Sequence, residues 1–343
     1  MRMSDKPAVV EKLEDFVSQF ETLSSIDLLK ESMWTLLRMH DSNSTRSDAR
    51  MVRRILREIR DTIKVFHKFK DVRKVSIFGS ARTLPTDPSY IMTEAFANQI
   101  TRKGFMIITG AGGGIMEAGN KGAMPNMDFG VNIDLPFEQD PNPFIANDPK
   151  FINYHYFFTR KLAFVRESDA TVLFPGGFGT HDEFFEILTL VQTGRSAPRP
   201  IIMVAPKGND YWKTLEAYIR TELLDRNLIS PQDLSLYSCV ESAEEAVHEI
   251  THFFRIYHSV RYIGTQTVFR LNTVLPEETM AKLQTEFAYL LRDGNFQLAT
   301  TEETPEDCLN YPDKPRLVFN FNRHNYGGLI ELIRFLNDAD VKI

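Results

Sequence analysis

The chain has 343 residues, of which 43% are hydrophobic and 25% charged, an ordinary balance for a globular protein able to bury one large core or two to three modest ones. A formal net charge of −6 argues against a general nucleic-acid binder but leaves room for a local basic face. No apolar run approaches the roughly 20 residues that span a bilayer, the opening MRMSDKPAVVEKLEDF lacks the apolar core of a signal peptide, and the two cysteines, Cys239 and Cys308, stand far apart in no metal-ligand pattern. A cytoplasmic protein with free thiols, no membrane partner and no nucleic-acid partner is expected.

Residues 1–72 read as helical. Leu13, Phe16, Val17 and Phe20 recur at helical spacing, DSNSTRSD (41–48) is a polar break, and a second helix carries Val52, Ile55, Leu56, Ile59, Ile63 and Phe66 on one face. Its other face holds Arg50, Arg53, Arg54, Arg57, Arg60, Lys64 and Lys68, either a solvated face or a site for an anionic effector or an acidic partner. From Lys74 the rhythm changes to strand, glycine turn, helix. KVSIFGS, FMIITG, GVNIDL, ATVLF, PRPIIMVA and LYSCV read as strands. The segments around IMEAGNKGA, FFTRKLAFVRES, EFFEILTLVQ, YWKTLEAYIRTELL and SAEEAVHEITHFFRIY read as helices. Such alternation predicts an α/β fold, a parallel sheet covered by helices on both faces. Its ligands belong outside the carboxyl ends of the strands, where three glycine turns fall. From about residue 259 the order becomes strand (YIGTQTVFRLN), helix, two strands (FQLATTE and RLVFNFN) and a closing helix (NYGGLIELIRFLN), a small α+β domain. The expected division is a helical region over 1–72, an α/β domain over 73–258 and the small domain over 259–343.

The turns are chemically informative. Gly110-Ala111-Gly112-Gly113-Gly114 matches neither the dinucleotide fingerprint, since Ile115 and Glu117 stand where a third glycine belongs, nor a Walker A loop. What remains is backbone N–H approach to an anion at the positive end of a helix. Gly176-Gly177-Phe178-Gly179-Thr180 offers the same with a hydroxyl. Thr180-x-x-Glu183 also fits a capping box, with Asp182 suited to a helix N-terminus, so a purely structural turn stands beside the phosphate site. Arg160-Lys161 lies among Tyr154, Tyr156, Phe157 and Phe158, a setting for a partly buried anchor or a ligand clamp. His155 and His181 lack motif partners, no metal motif is present, and G-x-S-x-G is missing. Arg323, His324 and Tyr326 form a polar cluster at a strand-to-helix turn, a helix entry or a ligand site.

Together FGSAR, ITGAGGGIMEAGNKGA, FFTRK and PGGFGTHDE resemble the Lonely Guy (LOG) family of nucleoside 5′-monophosphate phosphoribohydrolases, often misnamed lysine decarboxylases. The hallmark is Arg160-Lys161 followed by Pro175 to Thr180 and Glu183. The resemblance covers about residues 74–256, and GVNIDLPFEQ (130–139) is similar to a longer bacterial branch. It implies a Rossmann-like sheet, a homodimer or higher homo-oligomer with active sites near the subunit interface, and hydrolysis of the N-glycosidic bond to free base and ribose 5-phosphate.

Carried over by position, the resemblance makes Arg160 and Glu183 the catalytic pair. Gly176, Gly177, Gly179 and Thr180 would bind the 5′-phosphate. Gly79, Ser80, Gly112, Gly113, Met116 and Asn120 would line the nucleotide pocket, with Lys161 beside them. Where the family commonly has Leu-Glu-Glu after the threonine, this chain has His181-Asp182-Glu183, which bears on base specificity. The chemistry needs no metal or organic cofactor: a carboxylate steadies oxocarbenium character and positions water, and an arginine holds substrate anions or helps the departing base. Pyridoxal phosphate chemistry would need a Schiff-base lysine, for which Lys161 has no context. The alternative is a nucleotide-sensing protein of the same fold with little turnover.

Overall fold

The computed structural model describes residues 7–18, 25–135, 140–300, 307 and 311–341. Phe20, Cys308 and the 136–139 end of the GVNIDLPFEQ motif lie outside them. The chain forms two compact units, Met1–Asp61 and Thr62–Ile343.

The first unit is helical, with α1 over Pro7–Ser18, α2 over Ile26–Asp41 and most of α3, which runs Arg46–Phe66. The polar break ends in a reciprocal cap: the Thr45 amide donates to Asp48 Oδ2 at 2.8 Å and the Asp48 amide to Thr45 Oγ1 at 3.2 Å. Arg50, Arg53, Arg54, Arg57 and Arg60 are all exposed.

The second unit is built on a seven-stranded sheet in the order β4-β3-β2-β1-β5-β6-β7, parallel throughout. Its strands are β1 (Lys74–Phe78), β2 (Met106–Thr109), β3 (Asp128–Ile133), β4 (Phe151–Tyr154), β5 (Ala170–Leu173), β6 (Ile201–Val204) and β7 (Ser238–Val240). The intervening helices are α4 (Pro88–Arg102), α5 (Ile115–Gly122), α6 (Phe157–Glu167), α7 (Phe178–Gln192), α8 (Tyr211–Tyr218) and α9 (Ala243–Phe253). This is the expected α/β sheet with helices on both faces. The central strands are near-continuous apolar runs because both faces are covered. Val75, Ile77, Val172, Ile202 and Val204 face Phe96, Ile100, Ala246 and Ile250 of α4 and α9. Ile108, Phe129 and Val131 pack with Phe66 and Phe164.

Several boundaries differ from expectation for local reasons. The third strand lies two residues earlier than GVNIDL, at Asp128–Ile133. A helix that hydrophobic patterning does not single out, α4, starts where Asp87 caps the Ser89 amide at 2.7 Å and Pro88 occupies the first turn. The YWKTLEAYIRTELL helix keeps α geometry only to Tyr218, then widens into a π turn over Ile219–Leu224.

YIGTQTVFRLN is a hairpin rather than one strand. Gly264, at φ +56°, begins a two-residue turn between β8 (Tyr257–Ile263) and β9 (Gln266–Leu271), with Ile263 opposite Gln266. With α10 (Glu277–Glu286), β10 (Leu291–Ala299), β11 (Arg316–Phe321) and α11 (Tyr326–Asn337), these form a four-stranded antiparallel sheet, order β10-β11-β9-β8. The order is ββαββα. This sheet shares a core with the parallel one: Phe184, Ile187 and Met203 pack in the same cluster as Phe269, Leu317, Leu329 and Ile333.

Asn337, the last residue of α11, ties that helix to the junction between α9 and β8. Fully buried, its Oδ1 accepts from the Ile256 and Tyr257 amides at 2.6 and 3.1 Å, and its Nδ2 donates to the Phe253 carbonyl at 2.6 Å. Asn337→Leu keeps the branching of the side chain but strands two amides and a carbonyl. A loss of roughly 3 kcal/mol in unfolding free energy, read by urea titration, is expected.

Candidate active site

Strands β2, β1 and β5 are neighbours, so the turns that follow them meet at the carboxyl edge of the sheet. The chain steps outward from β1 to β4, then returns to β5 on β1's other side. The cleft therefore sits at the point where strand order reverses. Backbone hydrogen bonds weld the turns together. The Ser80 amide donates to the Pro175 carbonyl at 3.1 Å, and the Ile115 amide to the Ser80 carbonyl at 3.0 Å. Gly114, at φ +63°, has no room for a Cβ against the Ser80 and Ala81 backbone. Gly176 likewise lies directly against the Thr180 side chain.

The resulting cleft of about 710 Å³ brings together Gly79, Ser80, Gly112, Met116, Arg160, Gly176, Gly177, Gly179, Thr180 and Glu183 from the sequence-predicted set. Phe78, Ala81, Arg82, Gly110, Ile133, Leu135, Phe157, Phe164, Phe178 and His181 also line it. Three predicted residues sit elsewhere. Gly113 faces the Ala81 carbonyl, 3.5 Å from where a Cβ would lie. Asn120 is buried behind the glycine loop, where its Oδ1 accepts from Thr109 Oγ1 at 2.7 Å and from Asn142 Nδ2 at 3.0 Å, and its Nδ2 donates to Asp128 Oδ2 at 2.8 Å. Asn142 also donates to the Ala111 and Gly112 carbonyls at 3.1 and 3.0 Å. Asn120 thus supports the loop through Asn142, a partner that local sequence does not reveal. Lys161 points into a shallower hollow with Asp182, Phe185 and Glu186.

Helical geometry explains how adjacent residues part company. On α6, Phe157, Arg160 and Phe164 recur at i, i+3 and i+7, so the Arg160 guanidinium lies 5.1 and 5.9 Å from the Phe157 and Phe164 ring centroids, facing the cleft. Lys161, about 100° further round, meets α7. Its Nζ lies 2.6 Å from Glu186, 2.9 Å from Asp182 and 3.6 Å from Glu183. On α7, Thr180 and Glu183 share a buried face one turn apart.

Nor does the capping box form. The helix begins at Phe178 with Gly177 as its N-cap and no side-chain cap bond, and the Thr180 amide donates to the Gly177 carbonyl at 3.1 Å. With a flexible glycine available at the cap, the helix starts three residues earlier. Thr180 falls inside the first turn, and Glu183 is left to face the cleft.

Burial raises the Glu183 carboxyl to about 7, although Lys161 and Arg160 pull it the other way. Burial likewise works against the Lys161 charge, but Asp182, Glu186 and Glu183 outweigh it and hold the ammonium above the usual lysine range. The cleft therefore presents a carboxyl poised between its two protonation states, an arginine beside it, and a glycine-rich helix N-terminus suited to an anion. His181, without a sequence partner, has one in space: Nε2 lies 2.6 Å from the Tyr211 hydroxyl.

A native carboxyl with a raised pKa binds a proton that the unfolded chain has released between about pH 4.5 and 7, so its contribution to stability falls as pH rises through that window. Glu183→Gln removes the buried charge. It is expected to gain on the order of 1–3 kcal/mol at pH 8, where the native carboxyl must ionise in a buried place, and nothing at pH 4.5. Paired denaturation curves at the two pH values check this.

Comparison with known proteins agrees with the resemblance carried by the four motifs. Residues 111–250 match a family described as "Possible lysine decarboxylase". A pyrimidine/purine nucleotide 5′-monophosphate nucleosidase of Escherichia coli K12 is 28% identical over 143 residues, covering 38% of this chain and 31% of that protein. A cytokinin riboside 5′-monophosphate phosphoribohydrolase of Arabidopsis thaliana is 29% identical over 94 residues, covering 27% of this chain and 42% of the relative. One of Mycobacterium tuberculosis is 34% identical over 88 residues, covering 26% and 45%. The matched stretch spans less than half the length of each relative.

Proposed function

We propose that this chain, which belongs with the LOG-type proteins through its α/β domain, hydrolyses the N-glycosidic bond of nucleoside 5′-monophosphates to free base and ribose 5-phosphate. The observation that carries this reading is the meeting of Arg160, Glu183 and the Gly176–Thr180 turn in one cleft, with Glu183 poised near neutrality. The names of the relatives support the substrate class.

In this reading the 5′-phosphate is held by the N-terminal amides of α7 and Thr180 Oγ1, which anchors the ribose end. The C1′–N bond breaks with its electron pair leaving on the base, and positive charge builds on the sugar ring. Glu183 as carboxylate steadies that charge and takes a proton from the water that attacks C1′. Arg160 holds the substrate's anionic groups or the departing base. The base takes up a proton as it leaves, so one water is consumed for each base and ribose 5-phosphate formed. Lys161, tied to three carboxylates of α7, serves to place that helix. Ordinary nucleotides are preferred to cytokinin forms as substrate.

A homodimer belongs to the same proposal. Phe157, Phe158, Leu162 and Phe185 are exposed beside the cleft, and Phe178 is 97% exposed at its rim, an apolar face suited to a second copy. Leu162→Asp is expected to convert a dimer to monomer in light scattering.

The central test is base release from a panel of nucleoside 5′-monophosphates, followed by chromatography. Wild type is expected to release base, with kcat/KM rising tenfold per pH unit below about 7 as Glu183 ionises. Glu183→Gln is expected to lose roughly 10²-fold or more while remaining folded. An intact panel, with nucleotide bound but unchanged, would instead identify a nucleotide sensor.

A further inference from the structure

His181 stands where the resemblance leads one to expect an aliphatic residue, and its surroundings give it a task. It lies in the first turns of α7, lines the cleft, and packs against Tyr211 and Trp212 at ring-centroid distances of 5.8 and 5.9 Å. Its Nε2 is 2.6 Å from the Tyr211 hydroxyl, and that hydroxyl donates to the Gly176 carbonyl. Tyrosine has a single hydroxyl proton. With it given to Gly176, the phenolic oxygen accepts from His181, which places a hydrogen on His181 Nε2. The chain of donors runs His181 to Tyr211 to Gly176.

The far end of that chain is the peptide linking Gly176 to Gly177. A trans peptide is planar, so its carbonyl and its N–H point in opposite directions. Fixing the Gly176 carbonyl on Tyr211 therefore turns the Gly177 N–H the other way. Gly176 and Gly177 both line the cleft, and Tyr211 does not. A diglycine peptide resists rotation poorly by itself, and an external bond is what makes one orientation persist. Tyr211 is well placed to supply it. The neighbouring Trp212 is buried, and its indole N–H donates to the Val204 carbonyl at 3.0 Å, at the end of β6, the strand beside β5.

We infer that His181 and Tyr211 are positioning residues that set the Gly176–Gly177 peptide for the phosphate group of the substrate. The inference rests on the proposed phosphate site but not on turnover. The pair acts on the anchoring end of the ligand, so its effect falls on affinity rather than on bond cleavage.

The experiment is calorimetric titration of the full-length protein with inorganic phosphate and with ribose 5-phosphate, for wild type, Tyr211→Phe, His181→Ala, His181→Gln and the Tyr211→Phe/His181→Ala double variant. Tyr211→Phe keeps the ring packing and removes the hydroxyl. It is expected to weaken both ligands about tenfold, the value of one hydrogen bond to an otherwise free peptide, with melting temperature unchanged. His181→Ala is expected to weaken them less, His181→Gln to recover most of that loss by donating from its amide, and the double variant to be no worse than Tyr211→Phe alone. Where wild type releases base, the losses appear in KM with kcat held within about twofold. Equal phosphate affinity in wild type and Tyr211→Phe, additive losses in the double variant, or a wild type that binds neither ligand overturns the inference. Weakened binding in Tyr211→Phe of a protein that binds phosphate without releasing base upholds the inference and overturns the hydrolase reading.

Discussion

The parallel pairing of β2, β1 and β5 is the constraint on which the rest of the site depends. Val75 lies opposite Ile107 on one side and Ala170 on the other, so the three strands end together at one edge. Parallel strands must be joined by crossovers, which sends every following helix back from that same edge. Three glycine turns separated by nearly a hundred residues are thereby stacked within hydrogen-bonding reach, as the Ser80–Pro175 and Ile115–Ser80 bonds show. A cleft at this place follows from topology, and its small lining residues follow from how closely the turns approach.

Charge is then distributed by helix phase. Arg160 and Lys161 are neighbours in sequence, yet α6 directs one to the cleft and the other to the carboxylates of α7. Burial is the largest influence on the Glu183 pKa and raises it; Lys161 at 3.6 Å and Arg160 pull it down, while the negative charges of Glu186 and Asp182 push it up again. The acidic character of the α7 surface thus adds to the effect of burial on Glu183.

Around this centre the supports are layered. Asn120, Asn142, Thr109 and Asp128 brace the Gly110–Gly114 loop from behind, each bonded within a buried network. The antiparallel sheet reaches the site less directly. Its core includes Phe184 and Ile187, on the same helix as Glu183, so α7 is held between the two sheets. The C-terminal residues therefore help to hold the helix that carries Glu183 without lining the cleft.

The sequence by itself determined the fold class and named most of the residues that the fold brings together in one cleft. Alternating strands and helices dictate a parallel sheet, glycine turns mark its carboxyl edge, and the compound of Arg160-Lys161 with Pro175–Glu183 is distinctive enough to point to one family. These are local signals, written in periodicity and in residues without a Cβ. Tertiary structure decided what depends on partners distant along the chain. It removed the capping box at Thr180, because the helix found an earlier cap at Gly177. It withdrew Asn120 from the cleft and gave it to Asn142, turned Lys161 toward α7, and set His181 against Tyr211, thirty residues away. It also folded YIGTQTVFRLN into a hairpin, for which the Gly264 turn was the one legible mark. Spacing along a chain tells which face a side chain occupies. Only packing tells what stands opposite that face, and the raised pKa of Glu183 and the partners of Lys161 and His181 all depend on what stands opposite.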